Sequence, residues 1–145
     1  MGNRAVVTWV NSDGIVDGDS IGVYLHWDGD FSSVKAFLQY CKIVGFRNPS
    51  EDNYGIARFI QVVSNYFGAD GLDIGVGRIA DLDCNNFDNG MYICNGWDIV
   101  ERAYVHEDCV DVVNDNSIRY MLQSINADQP IHIQNVFNER YEHIS

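Results

Sequence analysis

The chain has few basic residues, and this scarcity limits what it can bind. Nine lysines and arginines stand against 21 aspartates and glutamates among 145 residues, for a formal charge of −12 at pH 7. Such a surface repels DNA, RNA and anionic membranes, so we expect no direct nucleic-acid or membrane partner. Solubility is the simplest explanation of the acidity. Imitation of nucleic acid toward a basic partner is the alternative.

Paired cysteines and long apolar runs are also missing. No two of the four cysteines form a C-x-x-C pair: Cys41, Cys84, Cys94 and Cys109. We expect Cys41 and Cys94 to be buried as small free hydrophobes, and a disulfide framework is the less favoured alternative. With no signal peptide expected and no apolar run long enough to cross a bilayer, the sequence favours a reducing cytoplasm.

Motifs that mark catalytic sites are absent as well. The sequence contains no G-x-S-x-G, P-loop, G-x-G-x-x-G or H-E-x-x-H motif, and its four histidines are scattered. We therefore expect a protein that is not an enzyme and that uses no cofactor and no metal. A small phosphodiesterase would need clustered histidines or carboxylates, so it ranks last among the hypotheses.

The stretch around which the chain is organised spans residues 21–46. Ile21, Val23 and Leu25 alternate with less apolar residues, which is the pattern of a half-buried strand. An acidic turn follows, and apolar residues at helical spacing continue to a glycine at position 45. Ser32 or Ser33 is the expected N-cap of this helix. The stretch therefore predicts a strand, a tight turn and a helix packed on the strand.

Further elements follow from the same periodicities. Strands are predicted in residues 4–10, 72–76, 91–94 and 97–105, and helices in residues 54–67 and 117–126. Ser50 or Asp52 could cap the helix at residue 54. Asn95-Gly96 between two β-rich runs predicts a two-residue type I′ hairpin. The last segment suits a short amphipathic helix, with a strand at residues 131–133 as the alternative.

Together these elements predict a single α+β domain over residues 1–145. Because the strands are joined mostly by hairpins, we expect an antiparallel sheet of about five strands with helices on one face. The C-terminal segment, residues 106–145, is predicted to be helical. It could pack on a second copy of the chain and form an oligomer.

Two polar loops have some features of calcium-binding loops. Residues 11–20 offer clustered oxygens, and residues 81–90 begin with a D-x-D-x-N pattern. Neither loop has the order of ligands in an EF-hand loop. In the second loop, Asn86 stands where glycine is required. We favour ordinary loops rich in Asx turns.

The arginines are the best candidates for ligand contacts because they are few. An arginine in an acidic protein usually pairs with neighbouring carboxylates, so structural pairing is the first interpretation for each one singly. Several arginines that converged with aromatic and amide side chains could instead hold a small anion. The candidate ligand-binding residues are His26, Trp27, Arg58, Arg78, Phe87, Asn89, Arg102 and Tyr104.

Several segments carry a resemblance to known proteins. These are MGNRAVVTW, GVYLHWDGD, YGIARFIQVVSNYFG, IGVGR, NFDNGMYI and WDIVERAY. With them the chain resembles a family of small phage and prophage proteins from gut Firmicutes, over residues 1–104. It is similar in kind to the Thoeris anti-defence sponges, which bind a cyclic ADP-ribose signal, and in some cases cyclic oligonucleotides, as oligomers and without cleavage. No diagnostic sponge motif falls on numbered positions here.

The resemblance implies a noncatalytic homo-oligomer that sequesters a small nucleotide-derived ligand in the cytoplasm of an infected bacterial host. Its alternative is an acidic protein inhibitor of a defence complex, such as an anti-CRISPR that mimics nucleic acid. A pocket formed by converging arginines would favour the first hypothesis. Carboxylates arrayed on one face would favour the second.

Overall fold

The computed structural model describes residues 2–68, 73–106, 111–112 and 114–144. Within them it has five strands, β1 to β5 in chain order: Ala5–Trp9, Ile21–Leu25, Ile74–Arg78, Met91–Asn95 and Asp98–Ala103. It has four α-helices, α1 to α4: Phe31–Val44, Asn53–Tyr66, Asp115–Ala127 and Ile131–Ile144. A short 3-10 helix, Ile79–Asp81, follows β3. Leu72, predicted to begin the third strand, and Cys109 lie outside the described residues.

The strands form one mixed sheet in the order β3-β2-β1-β4-β5. The α+β class and the five strands are confirmed, and the consecutive strands β1 and β2 pair antiparallel, as expected for strands joined by a hairpin. The prediction of a purely antiparallel sheet is wrong, because β1 and β4 run parallel. Both edges of β2 are occupied, by β1 and by β3, so β4 joins at the free edge of β1 after a crossover through residues 79–90.

The start of α1 is capped by a residue of the acidic turn. Asp30 is the N-cap, and its carboxylate accepts a hydrogen bond from the backbone N–H of Ser33. The prediction of a serine cap is therefore wrong by two or three positions, since the serines already lie inside the helix. Gly45 ends α1 in the left-handed conformation with φ 89°, as predicted. Asp52 caps α2, which was one of the two predicted caps.

The last two strands are joined by the expected two-residue loop, but with a shifted register. Asn95 pairs with Asp98, so the loop residues are Gly96 and Trp97. Gly96 has φ 60°, whereas Trp97 is not among the described residues with positive φ. A type I′ turn needs positive φ at both positions, so that part of the prediction is wrong.

The main core lies where the sheet meets the helices. Alternate residues of β1, namely Ala5, Val7 and Trp9, join a cluster to which all four helices contribute buried residues. Phe137 of α4 is fully buried in it, which settles the last segment as helix rather than strand. The aromatic rings of Phe37 and Phe59 meet edge to face, with ring centroids 6.4 Å apart.

A second, smaller core covers the opposite side of the central strands. Val6, Met91 and Ile93 pack there against Cys84. Partly buried side chains from the two long loops, Val16 and Leu82 among them, complete it. Side chains from these two loops, residues 11–20 and 79–90, therefore pack on this side of the sheet.

The described cysteines are free and buried, as expected for Cys41 and Cys94. Burial raises the pKa of both thiols, because a thiolate would lose its hydration there. Among the described residues, no helix is long and apolar enough to cross a membrane.

Candidate functional site

Arg102 is a structural side chain rather than an open anion contact. It lies on β5 opposite Tyr92, and its guanidinium carbon stands 3.7 Å from the centre of the Tyr92 ring. It pairs with the carboxylate of Asp111 and donates a hydrogen bond to the backbone oxygen of Asn89 at 2.6 Å. Only 13% of the side chain is exposed. These contacts occupy both terminal nitrogens of the guanidinium, and the buried Nε atom has no hydrogen-bond partner among the described residues. Because the side chain is enclosed in this way, the prediction of Arg102 as a ligand contact has little geometric support.

Asn89 and His26 belong to the same network through Asn3. The side-chain amide of Asn89 donates to the Asn3 side-chain oxygen at 2.6 Å and to the Arg4 backbone oxygen at 3.1 Å. The backbone N–H of Asn3 donates to the backbone oxygen of His26 at 2.9 Å. The structure therefore brings three of the candidates together, but chiefly by contacts that tie the first strand to the loop before β4.

An ion pair strengthens this tie. The guanidinium of Arg4 contacts the carboxylate of Asp88 at 2.7 Å. The hydrogen bond from Arg4 holds the pKa of the Asp88 carboxyl below its ordinary value. On the neighbouring strand, the Tyr24 hydroxyl lies 3.0 Å from the Nδ1 atom of His26. The network is thus polar throughout.

Three candidate aromatic residues lie exposed near this network. Trp27 meets the His26 ring edge to face at 5.2 Å between centroids, and nearly half of its surface is exposed. Phe87 is 73% exposed and Tyr104 is 56% exposed. Both have positive φ, 62° and 56°, which is unusual for large side chains. These exposed rings offer surface on which a ligand could stack.

Hydrogen bonds of the Asn86 side chain organise the loop before β4. The buried side-chain oxygen of Asn86 accepts hydrogen bonds from the backbone N–H groups of Asp88 and Gly90, at 3.1 and 3.0 Å. Its amide donates to the backbone oxygens of Asp83 and Gly90. Asn86 thus forms an Asx turn of the kind predicted for this loop. Among the described residues, no three potential metal ligands cluster.

Arg78 is paired and stands apart from the network. It lies at the end of β3, where its guanidinium contacts the carboxylates of Asp19 and Asp81, each at 3.0 Å. The hydrogen bond with Asp81 raises the pKa of Arg78. For this arginine, the structural interpretation is the one that the geometry supports.

Arg58 differs from the other two candidate arginines. In the described part of the chain it forms no ion pair, and its one hydrogen bond, to the side-chain oxygen of Gln61, is 3.5 Å long. It lines a cavity of about 280 Å³ between α2 and the start of α4. The other lining residues are Phe46, Gln61, Val62, Asn65, Gln129, Pro130, His132 and Ile133.

The polar side of this cavity is fixed by buried amides. Gln129 is only 5% exposed, and its amide donates to the backbone oxygens of Val62 and Ile125, at 3.0 and 3.2 Å. Its side-chain oxygen accepts a hydrogen bond from Asn65 at 3.0 Å. We name Arg58, Gln61, Asn65, Gln129 and His132, with Phe46 beside them, the Arg58 pocket.

The sequence analysis identified Arg58 but missed its companions. Arg58, Gln61 and Asn65 are spaced i, i+3 and i+7, so they form a polar stripe on one side of α2, and this spacing was a usable signal. His132 and Gln129 come from a segment more than 60 residues later. No local pattern indicated that they would meet α2.

The chain was also compared with known proteins. No protein family, curated protein or solved structure that was compared with it matches. The assignment of function therefore depends on the chemistry of the site and on the resemblance described above.

Proposed function

We propose that this protein is a noncatalytic binding protein that sequesters a small, anionic, nucleotide-derived ligand. The observation that carries the proposal is the Arg58 pocket, where an arginine without a carboxylate partner in the described residues faces a cavity. A guanidinium that is not neutralised keeps its donors for a phosphate. His132, which is exposed at the same cavity, is a second donor for the anion.

The remaining lining suits the rest of a nucleotide. Gln61 and Asn65 offer amide groups of the kind that recognise the edge of a base or a ribose. Phe46 offers an aromatic surface. A volume of about 280 Å³ lies just below the range of ligand sites, which typically measure about 300–1,000 Å³. A cyclic ADP-ribose isomer or a cyclic oligonucleotide would therefore extend beyond the cavity, and a second copy of the chain would cover the protruding part.

The biological role in this proposal comes from the resemblance of residues 1–104 to phage and prophage proteins. According to this resemblance, the proposed protein is a phage-encoded anti-defence protein that acts as a homo-oligomer in the cytoplasm of the infected bacterium. The sparse cations of the chain agree with a ligand much smaller than a nucleic acid.

Calorimetric titration tests the proposal. Purified protein is titrated with cyclic ADP-ribose isomers and with cyclic di- and trinucleotides, and the ligand is recovered after denaturation of the protein. We expect tight binding of at least one ligand, recovered intact. Arg58→Gln should weaken that binding about tenfold or more, because a hydrogen bond to a charged group is worth about 1.5–3 kcal/mol.

Arg47→Gln is the matched control. Arg47 is exposed, does not line the Arg58 pocket, and its replacement changes the net charge by the same amount. It should leave the affinity unchanged. No heat with any of the ligands would reject the proposed ligand class, equal weakening by both variants would reject the site, and recovery of a cleaved ligand would make the protein an enzyme.

The alternative, inhibition of a basic defence protein, has one observation in its favour. Four carboxylates line a groove of about 350 Å³ between the β1–β2 loop and the start of α2: Asp17, Asp19, Glu51 and Asp52. A basic partner protein captured by the wild type and lost with Glu51→Gln would favour this function over sequestration of a nucleotide.

A further inference from the structure

Another cavity lies among the helices, and none of its lining residues lines the Arg58 pocket. It is a groove of about 620 Å³ between α1, α3 and α4, well within the size range of ligand sites. We call it the helix groove. Its lining residues are Gln39, Lys42, Ile43, Asp115, Ile118, Arg119, Leu122, Arg140, Tyr141, His143 and Ile144.

The floor of the helix groove is aliphatic. Ile118 and Leu122 lie one turn apart on α3 and are 6% and 3% exposed. Ile43 of α1 and Ile144 of α4 continue this surface, and Ile144 is 66% exposed. A ligand that covered Ile144 would gain free energy by removing this side chain from water.

The rim of the helix groove has the opposite charge to the protein as a whole. Three of the nine lysines and arginines of the chain line it, namely Lys42, Arg119 and Arg140, together with His143. The lining contains one carboxylate, Asp115. In a chain with a formal charge of −12, this is a local concentration of positive charge.

Two of these cations, Arg119 and Arg140, have guanidinium N–H groups that are available to a ligand. Arg119 is exposed, and it has no hydrogen bond or ion pair with any residue in the described ranges. One terminal nitrogen of Arg140 donates to the backbone oxygen of Val44 at 2.6 Å, which fixes the guanidinium over the end of α1. Lys42 pairs at the surface with Asp98 at 3.0 Å.

We propose that the helix groove binds an anionic amphipath with a single aliphatic chain, such as a fatty-acid carboxylate. The aliphatic chain would lie on Ile118, Leu122 and Ile144, and the carboxylate would bind at the Arg119 side of the rim. Charge complementarity favours this ligand, because an uncharged aliphatic ligand would make no ion pair with the cations of the rim. The net charge of the protein disfavours an anionic membrane as the occupant.

The test compares a carboxylate with its neutral analogue. Wild-type protein is titrated by calorimetry with dodecanoate below its micelle concentration, and with methyl dodecanoate under the same conditions. We expect dodecanoate to bind and the ester to bind about tenfold more weakly or not at all. Methyl NMR spectra should show shifts at Ile118 and Ile144, with Ile93 of the second core unchanged.

Variants separate this site from the Arg58 pocket. Arg119→Gln should weaken dodecanoate binding about tenfold or more, while Arg47→Gln and Arg58→Gln leave it unchanged. Because Arg119 is exposed, its replacement should not affect folding, which circular dichroism checks. The result does not depend on the nucleotide proposal, since Arg58→Gln acts on one ligand and Arg119→Gln on the other.

Four results would overturn the inference. Equal affinity for acid and ester, or full affinity in Arg119→Gln, would remove the role of the cations. Binding only to phospholipid vesicles would identify a membrane surface instead. Light scattering that showed dimers, together with loss of the dimer in Arg119→Glu, would identify a second copy as the occupant.

Discussion

Tyr40 on α1 donates its hydroxyl hydrogen to the side-chain oxygen of Asn126 on α3, over 2.8 Å, and both residues are buried. The amide of Asn126 donates in turn to the side-chain oxygen of Asn138 on α4 at 2.9 Å. The Tyr40 ring also stacks on Phe137, with centroids 4.7 Å apart. One tyrosine thus ties α1 to both C-terminal helices of its own chain.

Replacing Tyr40 with phenylalanine tests this tie. Tyr40→Phe keeps the ring but leaves the buried oxygen of Asn126 without its donor, so we expect the free energy of unfolding to fall by about 1–3 kcal/mol. Urea denaturation followed by circular dichroism measures the change. Tyr120→Phe is the control, because Tyr120 is 78% exposed on α3 and its variant should stay within about 0.5 kcal/mol of the wild type. Equal stability of both variants would contradict the role of the hydroxyl.

The crossover loop before β4 depends on Asn86. Asn86→Ala removes the acceptor for the backbone N–H groups of Asp88, which is partly buried, and of Gly90, which is buried. A buried donor left unpaired costs about 1–3 kcal/mol. We expect a fall of at least about 2 kcal/mol in the free energy of unfolding. Asn85→Ala changes the adjacent exposed amide and should have little effect. If calcium restored the stability of Asn86→Ala, the loop would be a metal site after all.

Asp28 makes the stability of the protein depend on pH. Partial burial raises the pKa of its carboxyl, and the nearby Asp30 adds to the rise. Because the folded pKa lies above the unfolded one, ionisation of Asp28 destabilises the fold at neutral pH. This destabilisation disappears as the pH falls below the unfolded pKa, about 3.9.

Asp28→Asn should therefore stabilise the protein at neutral pH and make no difference in acid. Asparagine also tolerates the positive φ of this position, 55°. Urea denaturation at several pH values measures the difference. Asp13→Asn, in an exposed turn, controls for the change in net charge. A stabilisation by Asp28→Asn that persisted in strong acid would mean that burial of the carboxylate is not its cause.

Much of the local structure was predictable from the sequence. The helices α1 to α3 and the five strands follow from hydrophobic periodicity, and Gly45 ends α1 where a left-handed residue was expected. The errors concern positions at which neighbouring residues were almost equally good candidates for the same role. Asp30 and the serines that follow it are all good N-caps, and the hairpin turn moved by one residue to Gly96 and Trp97.

The candidate site was predictable only in part. Arg102 and Arg78 could be identified as unusual cations, but their pairing with Asp111 and Asp19 joins positions 9 and 59 residues apart in the chain. A sequence shows which charges exist and not which of them will neutralise each other. Arg58 has no carboxylate partner among the described residues. This too depends on how the fold arranges segments that are far apart in the sequence.

The sequence by itself determined the elements, because strand and helix periods are set by neighbouring residues a few positions apart. It also determined the sign of the surface charge and the absence of known catalytic motifs. The tertiary structure alone decided the parallel pairing of β1 with β4 and the meeting of Arg58 with His132 and Gln129. These contacts depend on which strand edge remained free and on how α4 packs in the common core, and both are properties of the whole chain.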